Sequence, residues 1–189
     1  MPPRLRRFAL TAHVTASVGW LGAVACSLAL AIAGLTSQDP QTVRGAYLTL
    51  ELLGWYVLVP LSLASLLTGL VQSLRTKWGL FRHYWVLLKL LINVVATIVL
   101  LLYMQTLSYL ADVAAATTLS SGDLHGMRNP SPVLHAGAAL LLLLVATTLA
   151  VYKPRGMTRY GQRKQHEQRA LSQQHEQRAV TQPEMQRPG

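Results

Sequence analysis

Residues 8–34 read FALTAHVTASVGWLGAVACSLALAIAG. The stretch holds no Asp, Glu, Lys or Arg, and its one ionisable ring is His13, seven residues ahead of Trp20. About 20 residues of helix cross the ~30 Å hydrocarbon core of a bilayer, so a run of this length is a spanning candidate. Lipid offers backbone amides no hydrogen-bond partner, which makes the run helical. An imidazole inside it is costly unless it faces other helices, so His13 is the first candidate functional group.

The same apolar signal recurs at residues 47–71, 84–109 and 133–151. Four spans predict an all-α, polytopic membrane four-helix bundle over residues 8–152. A basic segment, 1–7, precedes it, and a polar tail, 153–189, follows, too poor in apolar residues for fixed structure to be expected there. The spans take up most of the 189 residues, so chemistry is expected in the helices or at their ends rather than in a soluble catalytic domain.

The formal net charge of +10 is arranged as in a membrane protein. Arg4, Arg6 and Arg7 precede the first span, Arg75, Lys77 and Arg82 lie between the second and third, and a further group follows the fourth. The other two connections carry only Arg44 and Arg128. Lys and Arg collect on the cytoplasmic side, so both termini are predicted to be cytoplasmic. A nucleic-acid surface would gather its cations and aromatics on one recognition face, and this spread excludes one. The basic flanks suit contact with anionic lipid instead.

Cys26 is the only cysteine, which rules out an intramolecular disulfide and a Cys-x-x-Cys-His haem attachment; it is expected to be a small packing residue. The first apolar run is about twice the ~7–15 residues of a signal-peptide core, so it is expected to stay in the protein.

Ala12, Ala16, Gly19 and Ala23 form a small-residue stripe that predicts close helix packing on the first span. Asp39 or Ser37 is placed to cap a second helix with Pro40 in its first turn. Along that helix Glu51, Trp55, Leu58, Ser62, Ser65, Gly69 and Gln72 recur at helical spacing and should face the bundle, while Pro60 predicts a kink that Ser62 helps to accommodate. In the tail, residues 165–170 repeat as 174–179; nine residues apart, His166 and His175 fall on opposite helix faces and do not make one metal site.

His13 lies five residues past Phe8, and Lys89 five residues past Tyr84, which puts both roughly 7–8 Å deep from the same boundary. An imidazole can ligate iron or copper, and an ammonium can pair with a haem propionate or another anion. The pair is therefore the candidate cofactor pocket, lined by Ser17, Trp20, Ser65 and Asn93, with His13 as the metal ligand. The simplest alternatives are a Lys89 that snorkels to the headgroups and a His13 that bonds a hydroxyl or carbonyl. His135 starts the fourth span at the opposite boundary, too far to complete a bis-histidine site with His13, although Glu51 and His135 could pair there.

The core from His13 to residues 151–156, VYKPRG, resembles an uncharacterised family of small bacterial integral membrane proteins. More distantly, His13 with Trp20, and Trp85 with Lys89, are similar to the first and third helices of HemJ-type protoporphyrinogen oxidases and copper-resistance D membrane proteins. That resemblance implies a bacterial plasma-membrane location, a haem-ligating His13 and a Lys89 that meets a propionate. HemJ-type proteins carry a further histidine later in helix three, where this chain has Leu100 and Tyr103, so oxidase activity is not carried over.

Binding of haem b or a metal in a membrane redox context is the leading expectation. The alternative is a non-catalytic membrane subunit or a small-solute permeation protein. The expected partners are the bilayer and either a second copy of the chain or a larger membrane complex.

Overall fold

The computed structural model describes residues 3–75, 83–116, 128–152, 156 and 158–185. Its first helix, α1 (Pro3–Thr36), is unbroken. The second span comprises α2 (Pro40–Leu53), a π-helical turn (Gly54–Leu58) and α3 (Val59–Arg75). The others are α4 (Tyr84–Ala115) and α5 (Ser131–Tyr152). Among the described residues, four helices are long and apolar enough to cross a membrane, which is compatible with an integral membrane protein. All four run past the sequence bounds, most at α1, which starts at Pro3 rather than 8, at the second span, which begins at Pro40 rather than 47, and at α4, which continues to Ala115 rather than 109.

The spans alternate in direction. At one end Gln72 donates to the Ala9 carbonyl at 2.8 Å, and Gly156 lies beside Tyr84. At the other, Arg128 donates to the Ser37 carbonyl at 3.2 Å and to Gln38, and Arg44 donates to the Ala115 carbonyl at 3.2 Å. The first is called the basic end, since Arg4, Arg6 and Arg7 begin there; the second is the far end.

Local chemistry explains the helix starts and bends. Asp39 caps α2 by accepting from the backbone N–H groups of Gln41 and Thr42, with Pro40 at the first helical position where no N–H is needed. The Thr42 hydroxyl, its N–H and the Gln41 N–H together hold the Asp39 carboxyl below the usual carboxylate range. Pro60 cannot donate to the helix, and the chain answers just before it with the π turn, in which the Val59 N–H reaches Gly54 O, five residues back. Ser62 then donates to the Val59 carbonyl at 2.9 Å.

That turn also rotates the buried face. Before it α2 buries Val43, Ala46, Tyr47 and Leu50; the turn itself buries Gly54 and Leu58, and α3 buries Ser62 and Ser65. Trp55, expected on the interior stripe, is turned outward at 46 % exposure and donates its indole N–H to Ser108 at 3.2 Å. At Gly54 the second span packs tightly on α4: a Cβ there would lie 2.6 Å from Met104 Sδ.

The small-residue stripe of α1 is packed as expected, with Ala16 and Ala23 buried and Gly19 against Leu61 of α3. Cys26 is a correction: it is exposed, because the buried face of α1 runs through Ala23, Val24, Ser27 and Ala31 and leaves Cys26 to one side. Only 11 % of the apolar window of α5 is buried, so Leu141, Leu144 and Val145 form a surface suited to lipid.

In the tail, Arg159–Met185 forms a further helix, α6, largely exposed and carrying a Lys164–Glu167 ion pair at 2.8 Å. Too few apolar residues to bury a face led to the expectation of no fixed structure; local helix is a separate matter, and Gln, Glu, Arg and Ala favour it.

Candidate functional site

α1 delivers the buried His13 ring to α3, where Nδ1 lies 3.2 Å from the Ser65 carbonyl and 3.1 Å from Thr68 Oγ1. A carbonyl only accepts, and the Thr68 hydroxyl spends its proton on the Ala64 carbonyl, so both contacts put the ring proton on Nδ1. Nε2 then offers a lone pair, and Lys89 Nζ of α4 donates to it at 3.2 Å. The two groups read from sequence as lying at one depth are in direct contact.

The ring rests on α3 at Gly69, where a Cβ would come within 3.0 Å of His13 Cε1. Ser65 links the pair back to α1 through a 2.8 Å hydrogen bond between its hydroxyl and that of Ser17. Asn93, one turn beyond Lys89 on α4, is buried. Trp20 is not part of this layer. It lies two turns farther along α1, roughly 10 Å, packed with Ala23, Val24, Leu58, Ala96 and Leu143.

Sequence reading missed Thr68, which supplies the hydroxyl facing Nδ1, and the part Gly69 plays under the ring. The signal was available: Thr68 and Gly69 follow Ser65 by three and four residues, the spacing that brings side chains onto one helix face. At the far end Glu51 and His135 do not pair. His135 Nδ1 instead faces the Ser131 carbonyl at 2.9 Å, and its ring stacks on Tyr103 with centroids 3.9 Å apart. Glu51 and His135 thus lie apart from the His13 layer, in keeping with their depth.

The chemistry open to the pair follows from its surroundings. Among the described residues there is no group of three or more His, Cys, Asp or Glu that could hold a metal ion, and no carboxylate within ion-pairing distance of Lys89. An ammonium donating to an imidazole in an apolar bundle is a cation without a counter-charge, a costly arrangement that an incoming anion relieves. Iron would need Nε2, which Lys89 engages, so ligation through His13 requires Lys89 to turn to another acceptor.

Two turns past Lys89, Thr97 is 3 % exposed and, among the described residues, its Oγ1 has no hydrogen-bond partner. Burying an unsatisfied hydroxyl costs roughly 1–3 kcal/mol. Thr97→Val should therefore raise the midpoint of thermal unfolding in detergent. A clear fall would show instead that the hydroxyl holds a water or ligand in the native protein.

Comparison with known proteins finds no match to this chain among family models, curated proteins or solved structures.

Proposed function

We propose that this chain is a four-span protein of a bacterial plasma membrane, inserted with the basic end in the cytoplasm, and that it binds the acid group of a membrane-soluble ligand at Lys89 and His13. One observation carries the reading: the Lys89 ammonium has an imidazole at 3.2 Å and, among the described residues, no carboxylate. A carboxylate is a stronger partner for an ammonium than a neutral imidazole, because the attraction of opposite charges, large where water is excluded, adds to the hydrogen bond.

Haem b is the first ligand to test, as its propionates suit Lys89. Once Lys89 has turned to an acid group, His13 Nε2 is released, held in place by Ser65, Thr68 and Gly69 and ready to accept a metal. Haem, when bound, supplies one-electron chemistry. The bacterial location rests on the family resemblance, and the orientation on the Lys and Arg bias.

Protein purified from cells with ample haem should show a stoichiometric Soret band, absent from His13→Ala and weakly retained by Lys89→Met. A folded, colourless protein that reconstitution leaves colourless would remove haem and favour the membrane-subunit or permeation reading. For orientation, Asp39→Cys in a Cys26→Ser background should react with a membrane-impermeant maleimide added to intact cells, and Gln174→Cys should react only after lysis. The opposite pattern would reverse the topology.

A further inference from the structure

A cavity lies away from Lys89, on the far side of Trp20. Its volume is about 130 Å³, and its wall includes Trp20, Leu100, Tyr103, Leu107, His135 and Ala139. Positions 95–107 of α4 and 132–142 of α5 line it, stretches of roughly 18 and 15 Å along the helix axes. The space is a slot parallel to the helices, with Trp20 at its inner end and the Tyr103–His135 stack at the far end. Val95 and Val99 of α4 and Leu142 of α5 line it as well and are exposed on the lipid-facing surface, so the slot opens sideways toward the bilayer.

Its chemistry is one-sided. Among the described residues, no Asp, Glu, Lys or Arg lines it. The Ser27 hydroxyl donates to Ala23 O, and the Tyr103 hydroxyl donates to Ser131 Oγ. His135 Nδ1 faces the Ser131 carbonyl, which only accepts, so its proton is on Nδ1 and Nε2 is an acceptor with no partner among the described residues. An empty apolar slot forfeits packing on all its walls, whereas a chain of matching section restores it.

We infer that this slot binds a single-chain amphiphile that enters from the bilayer, with an uncharged hydroxyl head donating to His135 Nε2 and an apolar chain running toward Trp20. A charged head would meet no counter-charge there.

The test uses Trp20 fluorescence in protein carrying Trp55→Phe, Trp78→Phe and Trp85→Phe, with 11-bromoundecan-1-ol as the probe, whose bromine would sit at the Trp20 end. Quenching should saturate, and undecan-1-ol should reverse it by competition. Ala139→Leu, which fills the slot, should abolish the saturable part, and His135→Ala should weaken apparent affinity about fivefold, the loss of one hydrogen bond. Quenching that rises linearly with probe in the micelle and is unaffected by undecan-1-ol would overturn the proposal without recourse to any slot variant. So would equal saturable quenching by 11-bromoundecanoate, or complete quenching by dibrominated phosphatidylcholine that the alcohol does not relieve.

Discussion

Trp20→Ala is expected to lower the stability of the bundle by about 3–4 kcal/mol, near the figure for large aromatic truncations in protein cores. Trp20 is 2 % exposed and joins α1 to the second span, α4 and α5 through Leu58, Ala96 and Leu143. Lipid supplies little hydrophobic drive between helices, so what the truncation removes is close packing, at a residue that already borders the slot. Unfolding in mixed detergent micelles measures the loss. Trp55→Ala is the control: Trp55 is half exposed and holds one hydrogen bond, so its removal should cost less than about 1 kcal/mol. Equal effects of the two truncations would mean that Trp20 does not lock the bundle.

The second large effect is at the site. His13→Ala should cost about 3 kcal/mol, because it leaves a part-buried ammonium without its acceptor. Adding Lys89→Met to that variant should recover most of the loss, since an unbranched thioether fills the lysine's path without a charge. The double-mutant cycle isolates the contact. Strictly additive effects would show that the two residues do not act on each other. Lys89→Met alone should be tolerated, since His13 keeps its Nδ1 bonds to α3.

Hydropathy and charge in the sequence read out depth. The four spans and the shared level of His13 and Lys89 follow from counting residues at 1.5 Å each along a helix, and the Asp39 cap with Pro40 and the packed stripe Ala16–Ala23 from residue type and spacing. None of these needs knowledge of a neighbouring helix.

What only the tertiary structure decided is rotation about each helix axis and the contacts that rotation selects. Trp55 leaves the interior because the π turn before Pro60 swings the face of the second span, and Cys26 falls off the packed side of α1. Thr68 and Gly69 meet His13, and Trp20 joins the next layer, for the same kind of reason. An apolar helix satisfies its own backbone at any rotation, so hydropathy alone leaves the angle open. Close approaches made by residues distant in the chain set it, Gly19 against Leu61 and Gly54 against Met104 among them.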